Sequence, residues 1–449
     1  MKKKTHKISM LDSIAYSLGD AGCNLVWTTI SMFLILYYTD SVGLNAAMVG
    51  TMMLVARLLD GFSDIGMGLI IDRTHTKMGK ARPWILISAP AMAIGLILIF
   101  NVPKGFNMHQ KTIYAYVTYI FLTAIAYTVS NLSYQTLLSL ITDDEKERTR
   151  LSSIRFFITM LIIFLIVIFS VKLIDKIGWS KMSFLYSFIA LIFLLITSFG
   201  TKERVTKDSE STNKREVKKD LKVLFKNKYF LPLSFLFILN YMVSGITAGC
   251  GIYYVRDVLR NIDIFPVLSI AGIAPMMIGL LFFPKFANKY GKWKCLMGGF
   301  LIKILGLVIK IFVSESIPGC IIVAIIGSIG MVPLSAGLFA LVADVIDYGE
   351  WTSGRRLDGL TYSVTSFGMK VGTGLGSAMF GWGLALGHYN ADLLVQSQKT
   401  ILSLKIVSII VPLIIYIIAT IVMSRLNLDE FGDQMHKELN ERKISKFIK

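Results

Sequence analysis

The sequence predicts an all-α membrane protein of twelve transmembrane helices arranged as two six-helix bundles. Three observations carry this. Of the 449 residues 54% are hydrophobic and only 17% are charged, against about 25% charged in soluble domains, and mean hydropathy is +0.63. Apolar runs of about 20 residues, the length that crosses a bilayer core, recur along the chain. One long charged stretch, 201–228 (TKERVTKDSESTNKREVKKDLKVLFKNK), divides them six and six. This composition excludes an ordinary soluble domain, a disordered chain, a collagen-like repeat and a disulfide scaffold.

The spans follow in order. The first half gives 13–38, 48–71, 84–102, 112–140, 156–173 and 184–199. The second half gives 229–255, 265–283, 295–313, 321–345, 360–386 and 401–423. Runs this long exceed the about 9–11 residues of a membrane strand, so they are read as helices. The organisation is then a bundle over 1–200, a linker over 201–228, a bundle over 229–425 and a tail over 426–449. The basic start MKKKTHKISM precedes a long first run that carries Asp12 and Asp20 and lacks a small-residue cleavage site, so a retained span is expected rather than a signal peptide.

Charge is distributed by side. Lys2, Lys3, Lys4, Lys7, Arg73, Lys77, Lys80, Arg82, Lys146, Arg148, Arg150, Arg155 and the 202–228 run fall on one side of the spans. The other side holds scattered positions such as Lys104, Lys111, Lys172, Lys176, Arg256 and Arg260. The positive-inside rule then places both termini in the cytoplasm of a multi-pass cell-membrane protein. The net charge of +18 is a topological signal in this reading, and no nucleic-acid partner is expected. Cys23, Cys250, Cys295 and Cys320 show neither disulfide nor zinc spacing. Met78-Gly79-Lys80-Ala81-Arg82 after the second span is echoed by Tyr290-Gly291-Lys292-Trp293-Lys294 after the eighth, which suggests two parallel repeats.

Ionisable groups inside spans cost about 2.5–3.5 kcal/mol each on insertion scales, so each needs a partner or a task. The second span reads Arg57-Leu58-Leu59-Asp60-Gly61-Phe62-Ser63-Asp64. Asp60 and Asp64 stand one helical turn apart on one face. Both stay ionised only with a cation beside them; otherwise one takes a proton, and either outcome is a cation site. Ser63 adds a hard oxygen suited to Na⁺. The competing reading is a structural ion pair of Arg57 with Asp60. Lys370 in the eleventh span lies among Gly368, Gly372, Gly374 and Gly376, too deep for easy snorkelling, and a buried role is expected for it. The Gly368, Gly372 and Gly376 spacing itself is read as close helix packing. Lys310 and Lys405, nearer span ends, are expected to snorkel. In the fourth span Thr128 and Asn131, beside Tyr127, Tyr134 and Gln135, suit either a sugar site or interhelical glue, and Asn24 near Asp20 and Trp27 adds to that set.

These residues resemble the glycoside–pentoside–hexuronide:cation symporters, a branch of the major facilitator superfamily. The resemblance runs along essentially the whole chain. It is carried by Tyr37-Tyr38-Thr39-Asp40, by 57–64, by Gly79-Lys80-Ala81-Arg82-Pro83-Trp84 and by Arg155-Phe156-Phe157. Ala343-Asp344-Val345-Ile346-Asp347-Tyr348-Gly349-Glu350, Arg356-Leu357-Asp358-Gly359-Leu360-Thr361-Tyr362-Ser363 and Lys370 complete it. The resemblance implies a cation site of Asp60, Asp64, Ser63 and Thr128, with the two acids as metal ligands if the ion is Na⁺. It implies a sugar site of Asn24, Tyr127, Asn131, Arg155 and Lys370. Melibiose permease has aspartates where this chain has Asn24 and Asn131, a lysine where it has Cys23, and a tryptophan where it has Gln135. Two lost negative charges beside retained Arg155 and Lys370 favour an anionic sugar such as a glucuronide.

The expected function is import of a glycoside, a hexuronide first, coupled to Na⁺ or H⁺ by alternating access, with no resident cofactor and the protein a monomer in the bilayer. Neutral pentosides or other oligosaccharides, an uncoupled facilitator and a lipid-handling relative on the same fold are the alternatives. The loops 73–82 and 347–356 are expected to form cytoplasmic ion pairs that open and close during transport, each worth of order 0–1 kcal/mol. A membrane enzyme would need a reactive constellation within the spans, and His6, His75, His109, His388 and His436 all fall in termini and loops.

Overall fold

The structure is a computed structural model and describes residues 8–142, 144–205, 220, 222–426, 435, 437, 438 and 441. Most of the 201–228 linker, most of the 426–449 tail and the basic residues Lys2, Lys3, Lys4 and Lys7 lie outside the described residues. Among the described residues all regular elements are helical, with one isolated bridge from Thr76 to Gly79. Hydrocarbon offers the backbone no hydrogen-bond partners, so each spanning segment closes its own ladder as a helix.

Among the described residues, helices correspond one for one to the twelve spans. They are α1 Met10–Ser41, α2 Ala46–Arg73, α3 Arg82–Ile99 and α4 Met108–Ile141. Then α5 and α6 share the continuous stretch Glu145–Gly200 and part at Gly178, whose φ of 79° breaks the helix. The second half holds α7 Phe230–Val258, α8 Ile262–Tyr290, α9 Lys292–Phe312, α10 Ile317–Ser353, α11 Asp358–Leu386 and α12 Gln398–Ser424. Large apolar side chains point outward: Phe157 is 67% exposed, Phe188 61%, Leu281 77% and Phe312 83%. In water such a surface would aggregate; against lipid tails it is solvated.

The sequence ended the tenth span at Val345, where charges begin. The helix runs eight residues further, through Asp347 and Glu350, and stops at Ser353 before left-handed Gly354. The polar extension is a helical stalk beyond the apolar core, not a loop.

The chain forms two compact units, residues 1–210 with 390–394 and residues 211–389 with 395–449. In the first unit α1 lies along α6. Gly19 and Gly22 face Thr197, Ala190 and Leu194, and Thr197 Oγ1 donates to the Ala15 carbonyl at 2.6 Å. In the second unit α7 and α11 approach backbone to backbone. A Cβ on Gly372 would strike the Ile238 carbonyl, and one on Gly376 the Met242 carbonyl. This is the packing role expected of the glycine series.

The weak sequence echo has a structural counterpart. Gly79, three residues ahead of α3, and Gly291, directly ahead of α9, both take positive φ, 111° and 85°. Wide π turns also recur at Tyr37–Ser41 and Tyr254–Val258, the ends of the first and seventh spans. Around Gly79 the backbone N–H groups of Lys80, Ala81 and Arg82 all donate to the Glu203 carboxylate, at 2.7, 2.9 and 3.0 Å. A carboxylate at a helix N-terminus satisfies orphan donors and complements the dipole. Arg82 in turn donates to the Ser198 and Met78 carbonyls.

Gly376→Leu should block the α7–α11 approach. Overpacking costs about 1–3 kcal/mol, so thermal unfolding of the purified protein, followed by size-exclusion fluorescence, should shift down by several degrees. Gly272→Ala, with open space where its Cβ would lie, should leave the transition within about 1 kcal/mol of wild type.

Candidate functional site

The site begins with a distortion of α4. Residues Phe121–Tyr127 form a π segment, and the regular helix resumes at Thr128. Such bulges widen a helix and re-aim the side chains that follow. Thr128 Oγ1 donates to Asp60 Oδ1 at 2.6 Å, a charge-assisted bond in buried surroundings, with both residues 2% exposed. Ser63 Oγ lies 3.2 Å from the Thr128 hydroxyl and donates to the Asp60 carbonyl at 2.9 Å. Three of the four expected cation residues are thus drawn together. Asp64 is half-buried on the next turn of α2.

Arg57 completes this cluster. Its guanidinium is 3.6 Å from Asp60 Oδ2 and also 3.6 Å from the centroid of the Trp27 ring. Trp27 contacts Tyr127 with ring centroids 5.0 Å apart. The structure therefore contains the Arg57–Asp60 pair that the sequence offered as the competing reading. At that distance two charges attract by about 4–5 kcal/mol at an effective dielectric near 20, while desolvation costs several kcal/mol per ion. The pair roughly breaks even, so its presence does not make Asp60 a purely structural group. Arg57 Nη1 is buried and makes no hydrogen bond among the described residues, so the pair is loose enough to rearrange.

A second charged pair lies along α1. Thr159 Oγ1 donates to Asp20 Oδ2 at 2.8 Å, and Arg155 Nε approaches the same oxygen to 3.8 Å. Tyr16 and Tyr134 stack beside them, with centroids 4.7 Å apart. Asn24 spends its amide on the Asp20 carbonyl at 2.9 Å, and Cys23 Sγ lies 3.6 Å from Ser130 Oγ. Asn131, half-buried, stands on α4 between Thr128 and Tyr134 at helical spacing.

Lys370 is half-buried on α11 in the second unit. Four further lysines of that unit meet a carboxylate or an aromatic ring. Lys405 Nζ reaches Glu315 at 2.6 Å, which holds the exposed Glu315 carboxyl below the usual range. Lys310 Nζ sits 4.1 Å over the Tyr254 ring, a cation–π contact instead of the expected snorkel, and Lys303 Nζ is 5.9 Å from the Tyr416 ring. At the polar end Lys292 pairs with Asp344 at 2.7 Å, while Arg356 pairs with Asp347, Glu350 and Asp358. The hydrogen bonds that Arg356 donates to Glu350 and Asp347 hold its guanidinium above the ordinary range. The charges of the 347–356 segment are thus matched within their own unit. Among the described residues no group of three or more His, Cys, Asp and Glu gathers as a metal site.

The family model for MFS/sugar transport protein matches residues 15–430. The chain belongs to that family. It is 32% identical over 455 residues to the uncharacterized symporter YnaJ of Bacillus subtilis (strain 168), covering 98% of this chain and 97% of that protein. It is 29% identical over 443 residues to the isoprimeverose transporter of Lactiplantibacillus pentosus, covering 96% and 91%. A crystal structure of the nucleoside transporter NupG aligns with a TM-score of 0.69 at 13% identity, over 93% of this chain and 100% of that one. That likeness speaks for the fold, the major facilitator fold of membrane-spanning helices, and this family member is accordingly a multi-pass membrane transporter.

Sequence reasoning passed over two participants. Asp20 carried the signal of a carboxylate inside the first span, and Trp27 sat one turn from Asn24, but neither partner, Arg155 or Arg57, could be assigned from spacing within one helix. Thr128→Val should remove a donor from the buried Asp60 carboxylate. The expected cost is about 1–3 kcal/mol, read as a lowered thermal transition. An unchanged transition would mean that the Thr128 bond is not formed in the membrane protein.

Proposed function

We propose that this chain carries a glycoside across the cell membrane together with Na⁺ or H⁺, by alternating access, with Asp60 as the cation-binding carboxylate. The observation that supports this most is the place of Arg57. It touches Asp60 on one side and the Trp27 ring on the other, and Trp27 meets the Tyr127 ring at a tilt. A cation arriving at Asp60, with oxygens from Thr128, Ser63 and Asp64, competes with Arg57 for the carboxylate. Arg57 then shifts against the aromatic pair, whose faces suit the apolar side of a sugar ring. By linkage, a sugar that favours the shifted arrangement raises cation affinity by the same factor. A relative named a symporter and another named an isoprimeverose transporter support coupling and a sugar substrate.

Asn24, Tyr127, Asn131, Arg155 and Lys370 are the proposed sugar contacts, through amide, hydroxyl and cationic donors. The cytoplasmic placement of both termini rests on the basic clusters at 73–82 and 146–155. A hexuronide follows from the surplus of positive charge counted along the sequence. A neutral glycoside is the second reading, favoured by Asp20 standing against Arg155.

Asp60→Asn in proteoliposomes should cut accumulation driven by a Na⁺ or H⁺ gradient at least ten-fold while sugar counterflow continues. Gradient-driven accumulation at the wild-type level in this variant would contradict the coupling role of Asp60.

A further inference from the structure

Five side chains of the first unit form a polar cluster inside its spans: Tyr16 and Asp20 of α1, Tyr134 of α4, and Arg155 and Thr159 of α5. The cluster is incompletely satisfied. The hydroxyls of Tyr16 and Tyr134, both residues fully buried, and Arg155 Nε make no well-formed hydrogen bond among the described residues. These side chains lie against one another with poor hydrogen-bond geometry, so each keeps capacity for a further polar partner. The pair at the centre is reachable, since the Arg155 side chain is 31% and the Asp20 side chain 18% exposed. The cluster therefore has the donors and acceptors of a hydroxyl-binding site.

Its charge selects among solutes. A guanidinium alone takes a carboxylate in a bidentate pair. A guanidinium facing a carboxylate offers donors on one side and acceptors on the other, which fits vicinal hydroxyls, each both donor and acceptor. A carboxylate-bearing sugar must instead approach Asp20 as a like charge at close range, or displace it from Arg155. Thr159 opposes displacement by holding Asp20 Oδ2 at 2.8 Å.

We infer that Asp20 is a specificity-determining residue of the sugar site: by matching the charge of Arg155 it selects uncharged glycosides over hexuronides. This rests on the symport reading above and narrows its substrate class. It also revises the charge count that favoured an anionic sugar, because that count set Arg155 against two missing aspartates without Asp20.

The test is counterflow of labelled methyl β-xyloside, methyl β-glucoside and methyl β-glucuronide in proteoliposomes of the full chain, which needs no cation gradient. The wild type should favour the neutral glycosides over the glucuronide by at least ten-fold in kcat/KM. Asp20→Asn should shift that ratio ten-fold or more towards the glucuronide, and Asp20→Glu should restore it. A structural role for Asp20 would lower all three rates together and leave the ratio in place, which would overturn the inference. A wild-type preference for the glucuronide, or none, would overturn it without any variant, so a misfolded Asp20→Asn does not remove the test. Counterflow of none of the three would overturn the symport reading and this inference with it, whereas transport with an unmoved ratio overturns this inference alone.

Discussion

A carboxylate buried in a hydrocarbon-facing bundle is the constraint around which the first unit is organised. Asp60 is 2% exposed on a helix whose outward side chains include Phe62 at 65% exposure. Such a group persists only if its charge is matched, and α2 and α4 match it with three different kinds of contact. Arg57 brings opposite charge, Thr128 a short hydrogen bond, and Ser63 a neighbouring oxygen. None of the three is strong enough to lock the site. The ion pair is near break-even after desolvation, and a single hydrogen bond to a charged group is worth about 1.5–3 kcal/mol. A site held by several modest terms can exchange one of them for a mobile cation.

The deep charges of the first unit extend the same argument. Asp20, Asp60 and Asp64 stand against Arg57 and Arg155. Arg57 stands against Asp60 and Arg155 against Asp20, so each arginine is shared with an aspartate. Arg57 reaches the aromatic pair Trp27 and Tyr127, and Arg155 reaches the Tyr16–Tyr134 stack through Asp20's neighbourhood. Charge and aromatic surface thus lie side by side.

The architecture was largely legible because bilayer physics leaves little choice: run length, the central charged stretch and lateral charge asymmetry each depend on local composition. The Gly79 and Gly291 echo coincides with positive φ at both glycines, a conformation that one residue type meets best. The tenth helix was underestimated because hydropathy ends at the membrane surface while helical hydrogen bonding continues to Ser353. Asp60, Ser63 and Thr128, which the structure brings together, were singled out by helical spacing and family likeness. The Arg155–Asp20 pair joins residues 135 positions apart in the chain, and the contact of Arg57 with Trp27 joins two different helices. Such partnerships depend on how helices pack, which periodicity does not encode. The consequence was a charge count that treated Arg155 as unmatched.

Coupling through one buried carboxylate is a thermodynamic claim and runs in both directions. Proteoliposomes of the full chain should be loaded with equal cation on both sides and given only an inward sugar gradient, with ²²Na⁺ and internal pH followed together. Sugar flowing down its gradient should drag Na⁺ or H⁺ inward against no initial gradient, and the movement should vanish without sugar. Rapid sugar entry with neither Na⁺ uptake nor internal acidification would contradict the account.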